Sequence, residues 1–373
     1  MQLLASGRLK ALVVAIVAFG AAAGPSLAQG RPFIENFATQ STIASAVPAS
    51  GPAQGDVNPY GVAVVPRSSG DLVRGDVLVS NFNNAQNQQG TGSSIVEISP
   101  SGQAHVFAVV PAPTATPAVG LTTALAVLRS GFVIVGSLPA PGGDSTKATA
   151  GALTILDAHG KVVERLTGNG INGPWDMTAV DRGKRAVLFV TNVLNGTVAA
   201  KGGVVDQGTV LRIRLRIRHG AIPEVTSSTV IGDGFAEHTD PNALVVGPTG
   251  VGLGRHGVLY VADSNGNRVA SIPNALTRSS ALGAGGRTVF SGSPVNDPLG
   301  LTIAPNGHVV IANGADGQIV EISPAGRLVA ARTLITNGGG DLFGLAVAPH
   351  GSGLYFTNDA GTGSAANSLD LLH

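Results

Sequence analysis

An internal repeat constrains the fold of this chain more than any other feature of its sequence. Residues 95–102 read Ile-Val-Glu-Ile-Ser-Pro-Ser-Gly, and residues 319–326 repeat them with seven of eight identical. Around both copies lies a longer pattern, in which a turn precedes a short apolar run, a glycine-rich turn and a second apolar run that ends in a small polar residue. A pattern that recurs along a chain indicates one structural unit stacked several times.

Six copies of this longer pattern follow one another at intervals of 44 to 67 residues. Their first apolar runs begin at Gly61, Ala124, Asp176, Ala243, Gly300 and Gly344. Their second runs end at Asn81, Ser137, Asn192, Asp263, Asn313 and Asn358. Short runs rich in Val, Ile and Leu and bounded by Gly, Pro and Asn are typical of β-strands. The pattern therefore predicts an all-β chain, a six-bladed β-propeller of four-stranded antiparallel blades.

The composition agrees with this architecture and excludes several functions. Of the 373 residues, 53 are Gly and 22 are Pro, as a fold with many tight turns requires. The formal net charge is only +1, which argues against a nucleic-acid partner because phosphate binding needs a basic excess. The absence of Cys excludes a disulfide scaffold, a thiolate metal site and a cysteine nucleophile.

The last copy of the repeat is incomplete, because the chain ends at His373 just after the third apolar run, residues 367–372. A three-stranded blade would leave an open sheet edge. Residues 31–47 precede the first blade, contain an apolar segment and have no other evident role. We predict that this segment supplies the missing strand of the last blade and closes the ring.

The first 28 residues are typical of an export signal. Arg8 and Lys10 precede an apolar run at residues 11–23, and residues 26–28 form a small-x-small cleavage pattern. A membrane-spanning helix needs about 20 apolar residues, so a permanent anchor is the less favoured interpretation. We predict cleavage after residue 28 and export to the periplasm or outside the cell. The mature chain, residues 29–373, is then expected to be a single propeller domain, monomeric and without a membrane span.

Within these repeats the sequence resembles the NHL-repeat propellers, above all at residues 240–265 and 297–303. It is also similar to the wider superfamily of six-bladed propellers that includes the gluconolactonase/senescence-marker-protein and strictosidine-synthase-like families. The resemblance covers residues 31–373 and lies in positions that make the fold. It implies a ligand site at one mouth of the central channel. For lactonase-like members it further implies a metal ion bound by Asp or Asn at the middle position of Pro-x-Gly.

The residues just before the six first strands therefore form the predicted mouth. They are Tyr60, Thr123, Trp175, Asn242, Leu299 and Phe343. Calcium takes six to eight oxygen ligands, and in this ring only Asn242 is a suitable ligand. Leu299 stands where lactonase-like families carry Asp, and their Glu before Gly-Pro in the first blade has no counterpart. The sequence thus disfavours a calcium centre of that type, leaves Asn242 as the candidate metal ligand and assigns no cofactor.

Aromatic residues are concentrated in this ring, although the whole chain contains only 1 Trp, 3 Tyr and 11 Phe. Aromatic side chains beside a few polar groups suit a flat or apolar ligand, such as the face of a sugar. The same side chains would also serve as a hydrophobic layer that fills the channel. Both interpretations are open from sequence. The predicted binding residues are Tyr60, Trp175, Asp240, Asn242, Asp297 and Phe343.

One segment, residues 237–242, breaks the symmetry of the repeat. It brings two carboxyl groups, an imidazole and an amide together just before the fourth blade. If it faces the channel, His238 is a candidate general base or metal ligand, oriented by Glu237 or Asp240. A turn role for Asp240 and a solvated loop for His238 are the alternative. Short polar residues at equivalent places in other blades favour that alternative: Asn58, Asp297 and Asp341.

Residues 212–218 alternate arginine with aliphatic residues, which puts four arginines on one face of a strand. One interpretation is a docking stripe for an anionic polysaccharide or lipid head group. The other, which we favour, is an exposed outer strand whose charges prevent edge-to-edge pairing.

These observations leave three functional hypotheses. The first is an exported propeller that binds a small molecule, a glycan or a protein at one mouth, without catalysis. The second is a metal-dependent lactonase- or esterase-like hydrolase with its metal near Asn242. The third is a lyase that uses His238 with a nearby Glu.

Overall fold

Six antiparallel sheets, one for each copy of the repeat, build the described part of the chain. The computed structural model describes residues 31–113, 118–360 and 366–373. The predicted export signal, residues 1–28, lies outside them. Within the described residues no helix has both the length and the apolar character that a membrane crossing requires. Helical structure there is limited to short 3₁₀ turns: Ile34–Asn36, Pro141–Gly143, Ser145–Lys147, Arg255–Gly257 and Pro349–Gly351.

The first strand, β1 (Gln40–Ser45), belongs to the last blade. Blades one and two are regular four-stranded meanders, each beginning with its innermost strand. Blade one contains β2 (Val57–Val64), β3 (Val77–Asn83), β4 (Ser94–Ile98) and β5 (Ala104–Val109). Blade two contains β6 (Leu121–Val127), β7 (Val133–Ser137), β8 (Leu153–Leu156) and β9 (Val162–Leu166).

Blade three has longer strands and one additional strand. Its strands are β10 (Gly173–Asp181), β11 (Arg185–Val193), β12 (Val205–Arg216), β13 (Glu224–Asp240) and β14 (Leu244–Val246). Most of the arginine-rich segment lies in β12, which pairs with β11 on one side and β13 on the other. The prediction of an exposed outer strand there was wrong. Arg212 is buried and its guanidinium donates to the carbonyl of Ala275 in blade four, so it holds two blades together.

Blade four begins later than the sequence predicted. Its strands are β15 (Pro248–Leu253), β16 (Leu259–Asp263), β17 (Arg268–Ile272) and β18 (Arg287–Ser291). The apolar run that starts at Ala243, predicted from sequence to be the innermost strand, instead forms β14 and pairs with β13. Leu244 has a φ of 64°, a conformation that interrupts a regular strand. The true Pro-x-Gly of this blade is therefore Pro248-Thr249-Gly250.

Blades five and six complete the ring. Blade five contains β19 (Pro298–Ile303), β20 (Val309–Asn313), β21 (Gln318–Ile322) and β22 (Leu328–Thr333). Blade six contains β23 (Leu342–Val347), β24 (Leu354–Asn358) and β25 (Ser368–Leu372), followed in space by β1. β1 pairs antiparallel with β25 from Gln40 opposite Leu372 to Ser45 opposite Ser368. The predicted closure of the ring by the N-terminal segment is confirmed.

The core lies between blades as well as within them. One cluster joins Leu78 and Ile95 of blade one to Leu121 and Val135 of blade two, all 0% exposed. The glycine of Pro-x-Gly permits this packing near the axis. A Cβ atom on Gly300 would lie 2.0 Å from the carbonyl oxygen of Phe343, so no larger residue fits between these blades.

Candidate functional site

The order of the strands places two sets of connections on one face of the ring. Loops that enter the innermost strands and loops between the second and third strands lie together there, and we call this the mouth face. A cavity of about 370 Å³ opens on it near the axis. Its lining comes from innermost strands and adjoining loops of all six blades. It includes all six predicted ring residues: Tyr60, Thr123, Trp175, Asn242, Leu299 and Phe343.

An aromatic cluster forms one wall of this mouth cavity. The ring of Tyr60 lies 4.3 Å from that of Phe343 and 5.9 Å from that of Trp175, measured between centroids. Phe82 stacks on Tyr60 from behind, with centroids 4.6 Å apart. All four side chains pack as a hydrophobic cluster. Tyr60, Trp175 and Phe343 also line the cavity, so both sequence interpretations describe the same residues.

Below the aromatic cluster lies a second cavity of about 350 Å³, formed mainly by the innermost strands. Thr123 lines both cavities. Asp176 provides a carboxyl group in this channel and accepts hydrogen bonds from the backbone N–H groups of Met177 (2.7 Å) and Val251 (3.0 Å). Burial raises the pKa of Asp176 to about 7. Because its oxygens already bind backbone of blades three and four, Asp176 serves to join these blades.

The same backbone conformation orients two polar residues of the mouth cavity. Asn58 and Asp297 each precede the proline of an innermost strand and adopt left-handed conformations, with φ of 61° and 50°. The N–H of each donates to an Asn side chain of the preceding blade, from Asn58 to Asn367 (2.5 Å) and from Asp297 to Asn267 (2.8 Å). Such strained residues are maintained by the surrounding structure and are frequent at functional sites.

The carboxyl groups of the mouth cavity have raised pKa values. Burial, and to a smaller extent the charge of Asp341, raises the pKa of Asp359 to about 7. Burial and the charge of Asp240 also raise the pKa of Asp297. Burial is the main reason that the pKa of Tyr60 is raised, and the charges of Asp359 and Asp297 add to it. Near neutral pH, Asp359 can therefore either donate or accept a proton.

Unpartnered amide oxygens complete the polar lining. Asn58 Oδ1, Asn83 Oδ1 and Gln89 Oε1 are buried and accept no hydrogen bond. The amide of Gln89 donates to the backbone carbonyl of Asn242, so a loop of blade one reaches a loop next to blade four. Buried polar groups are normally paired, so these three oxygens require a partner that the protein itself does not provide, such as water, an ion or a ligand.

The described lining of the mouth cavity contains no Lys, Arg or His. Its charged groups are the carboxyls of Asp297 and Asp359, and the three buried amide oxygens without partners are all acceptors. These groups favour a ligand that donates hydrogen bonds or carries positive charge. An aromatic wall beside such acceptors is typical of a site for a polyhydroxylated ring.

Three predicted residues lie outside this lining. Asp240 forms a turn, in which its Oδ1 accepts from the N–H groups of Asn242 (2.6 Å) and Ala243 (3.2 Å). His238 Nδ1 lies 2.9 Å from Asn265 Oδ1, and its Nε2 is 4.0 Å from an oxygen of Asp240. Glu237 is fully buried, and its Oε1 accepts from the N–H of Asn195 at 2.9 Å. The structure thus separates Glu237, His238 and Asp240 from the cavity, whose lining includes the other five predicted residues.

Sequence reasoning missed several polar cavity residues, among them Thr249, which holds the true ring position of blade four. Asn83 ends β3, Asn87 and Gln89 lie in the loop between β3 and β4, and Asp359 directly follows β24. A run rich in Asn and Gln at residues 83–89 was the available signal, since most other loops are rich in Gly and Pro. Asp359 gave no such signal, because its carboxyl is important only through its burial beside Tyr60.

The oxygen atoms that line the cavity are of the type that a hard cation prefers as ligands. Calcium prefers carboxylate and amide oxygens, and Asp297, Asp359, Asn58 and Asn83 provide both. No cluster of three or more His, Cys, Asp or Glu side chains arranged for a metal occurs among the described residues. The remaining ligands of a calcium ion would therefore have to be amide oxygens and water.

No protein-family model and no curated protein sequence matches this chain. Several solved structures are similar in fold. The Xanthomonas campestris gluconolactonase is 14% identical over 89% of this chain and 88% of its own, with a TM-score of 0.55. The calcium-binding protein regucalcin from Agrobacterium tumefaciens is 13% identical, over 90% and 93%, with a TM-score of 0.55. The PQQ-bound aldose sugar dehydrogenase of Streptomyces coelicolor is 14% identical, over 89% and 97%, with a TM-score of 0.54. At this level of identity the likeness shows the fold.

Proposed function

We propose that the mouth cavity binds a small, neutral, polyhydroxylated molecule and hydrolyses a lactone or related ester of it. The observation that carries the proposal is the combination of an aromatic wall, unpartnered acceptor oxygens and two carboxyl groups with raised pKa values in one cavity. Two of the structural neighbours, a gluconolactonase and an aldose sugar dehydrogenase, are named for sugar chemistry, which supports the choice of substrate class.

Binding follows from the complementarity of the lining. A sugar-like ring presents an apolar face that packs on the cluster of Tyr60, Trp175 and Phe343. Its hydroxyl groups donate to the unpartnered oxygens of Asn58 and Asn83, which otherwise remain buried without a partner. Each such bond regains the desolvation cost of a buried acceptor, about 1–3 kcal/mol.

Hydrolysis requires a proton acceptor and a proton donor. A carboxylate removes a proton from water as the water oxygen bonds to the lactone carbonyl carbon, and a carboxylic acid then protonates the leaving ring oxygen as its bond to that carbon breaks. Asp359, with a pKa of about 7, is present in both forms near neutral pH. We assign the proton transfers to Asp359 and Asp297, and the placement of the ring to the aromatic wall.

The cofactors of the neighbours fit this cavity to different degrees. PQQ is a polycarboxylate, and the cavity offers it two acidic groups and, among the described residues, no cationic one, so PQQ does not fit. Calcium fits the donor atoms by type, and the carboxylates of Asp297 and Asp359 with the amide oxygens of Asn58 and Asn83 would hold it. When bound, it would polarise the carbonyl group of the substrate. A carboxylate bound to the ion would then act as its ligand instead of transferring a proton.

The proposal is tested by proton release from glucono-δ-lactone in a pH-stat assay. We expect Asp359→Asn and Asp297→Asn to lower kcat by about 100-fold or more, the usual contribution of a positioned acid or base. Asp206→Asn is the matched control, because Asp206 is exposed and outside the cavity. Equal activity in all four proteins would overturn the assignment of the two carboxyls.

Two further measurements separate this function from its alternatives. Dialysis against a chelator, followed by elemental analysis and re-addition of Ca²⁺, shows whether hydrolysis needs a metal. Saturable binding of the lactone and of its aldonic acid product without turnover would show that the cavity binds these molecules and does not hydrolyse the lactone. Lactone hydrolysis that persists in the cavity variants but is lost in His238→Ala would move the catalytic group from this cavity to His238.

A further inference from the structure

We propose that the face opposite the mouth carries a binding groove for an acidic polysaccharide. On this face lie the turns between first and second strands and between third and fourth strands. A groove of about 880 Å³ runs there across the turns of blades one, two and three. It shares no residue with the mouth cavity, so the inference is independent of the function proposed above.

Positive charge dominates this groove. Its described lining contains six basic side chains: Arg67, Arg129, His159, Lys184, Arg218 and His219. All six belong to exposed residues. Asp157 is the acidic residue of the lining, and its Oδ1 already accepts from the backbone N–H groups of His159 (2.9 Å) and Lys161 (3.0 Å). Four of the 16 lining residues are Arg or Lys, against 23 of 373 in the whole chain, so basic residues are enriched in this groove.

Acidic residues around the groove leave several of its cations unpaired. Asp71 lies 3.1 Å from His159, and Glu224 lies 3.5 Å from Arg218. Asp181 binds backbone, accepting from the N–H of Arg129 at 2.6 Å. Within the described residues, no carboxylate oxygen lies within 4.0 Å of the charged groups of three groove residues: Arg67, Arg129 and Lys184. These three side chains are therefore available to a ligand.

The floor of the groove is apolar and includes one aromatic ring. Phe132 is partly buried there, and Ile217 is 7% exposed. The long turn of blade one is attached to blade two, because the N–H of Asp71 donates to the carbonyl of Ala158 at 2.9 Å. A Cβ atom on Gly70 would lie 2.6 Å from that same oxygen, so the two turns are in tight contact. The groove is thus preformed.

These features favour an acidic sugar chain over other polyanions. The apolar face of a sugar ring packs on an aromatic side chain, while its carboxylates form charge-assisted hydrogen bonds with Arg and Lys. A concave groove that crosses three blades accommodates a linear chain along its length. A lipid surface is flat, and it would contact the rim and leave the floor of the groove unoccupied.

Binding of the protein to immobilised polygalacturonate, with neutral dextran as the control polymer, tests the inference. We expect saturable binding to polygalacturonate only, weakening as salt rises above about 0.1 M, where the screening length is about 10 Å. We expect the triple variant Arg67→Gln, Arg129→Gln, Lys184→Gln to bind about tenfold or more weakly. Lactone hydrolysis should not change in this variant.

A charge-matched triple variant provides the control. Lys201→Gln, Arg255→Gln and Arg287→Gln remove three exposed cations outside the groove and should leave the affinity within about twofold. Equal loss in both triple variants would show a general charge effect and overturn the site. Binding to vesicles that contain phosphatidylglycerol, without binding to polygalacturonate, would also overturn it. If the triple variant fails to fold, single Arg67→Gln and Lys184→Gln variants replace it, and unchanged affinity in both counts against the groove.

Discussion

His308 Nδ1 lies 2.6 Å from Oε1 of Glu321 in the interior of blade five, where the two side chains are 8% and 0% exposed. The same carboxylate accepts hydrogen bonds from the backbone N–H groups of Phe33 (2.8 Å) and Ile34 (2.9 Å). Glu321 belongs to the nearly verbatim repeat, and Glu97 is its counterpart in blade one. Glu97 is also fully buried and accepts from a backbone N–H outside its own strand, that of Val73 at 2.9 Å. The repeat thus uses one buried glutamate position to attach segments that lie beside a blade.

The different hydrogen bonds of Glu321 and Glu97 predict that replacing each by Gln lowers the free energy of unfolding by a different amount. Glu321→Gln removes the charge from a carboxylate with two backbone donors and a histidine, so we expect the free energy of unfolding to fall by about 2–4 kcal/mol. Glu97→Gln should cost about 1 kcal/mol, because one backbone N–H binds it and burial already raises its pKa. Urea denaturation of both variants measures the difference. Equal losses would contradict the special role of Glu321.

The closing strand predicts a second effect on stability. A chain that begins at Pro48 lacks β1 and leaves the edge of β25 unpaired, so we expect it to aggregate or lose cooperative unfolding. A chain that begins at Pro32 retains β1 and serves as the control. Size-exclusion chromatography and thermal melting distinguish them. A monomeric shorter chain with unchanged melting would contradict closure by this strand.

Much of this fold could be predicted because the repeat carries its own signals. Strand-forming runs, turn glycines and the incomplete last copy led to six blades and to closure by residues 31–47. The start of blade four could not be located correctly, because residues 243–246 have the same apolar character as a true innermost strand and follow an Asp-Pro pair, as does the innermost strand of blade five. The better signal was Gly250, two residues after Pro248, because the packing of the neighbouring blade requires a glycine at that position.

The candidate site was less predictable than the fold. The aromatic wall follows from the ring positions of Tyr60, Trp175 and Phe343, since the repeat fixes where those positions lie. The contribution of Asn83 and Gln89 depends on a loop that reaches across the mouth, and nothing in its sequence gives its direction. The raised pKa of Asp359 is a consequence of burial, which depends on packing between blades.

The pH dependence of stability provides a third prediction. Burial raises the pKa of Glu237 to about 8, compared with an ordinary value of 4.5. Between these pH values the folded protein holds one more proton than the unfolded chain, so the free energy of unfolding falls as pH rises, by up to about 1.4 kcal/mol per pH unit. Glu237→Gln does not titrate at this position. We therefore expect its stability relative to the wild type to increase steadily from pH 5 to pH 8.

Urea denaturation at pH 5, 6.5 and 8 measures this difference. The free energy of unfolding of Asp206→Asn, a change at an exposed residue, should vary with pH as that of the wild type does over the same range. If the free energy of unfolding of Glu237→Gln also varies with pH as that of the wild type does, Glu237 is already ionised in the folded state at pH 5.

The single tryptophan of the chain permits a direct test of the mouth cavity. Trp175 lines it and is 5% exposed, so its emission should respond when a ligand displaces water from the aromatic wall. Titration with glucono-δ-lactone or its aldonic acid should give a saturable change in fluorescence. Phe343→Leu removes one ring of the wall, and we expect it to weaken this binding by about tenfold, since aromatic contacts contribute about 0.5–1.5 kcal/mol beyond the area they bury. The matched control is Phe132→Leu in the opposite groove, which should leave the titration unchanged. A fluorescence response that is insensitive to Phe343→Leu would place the ligand away from the aromatic wall.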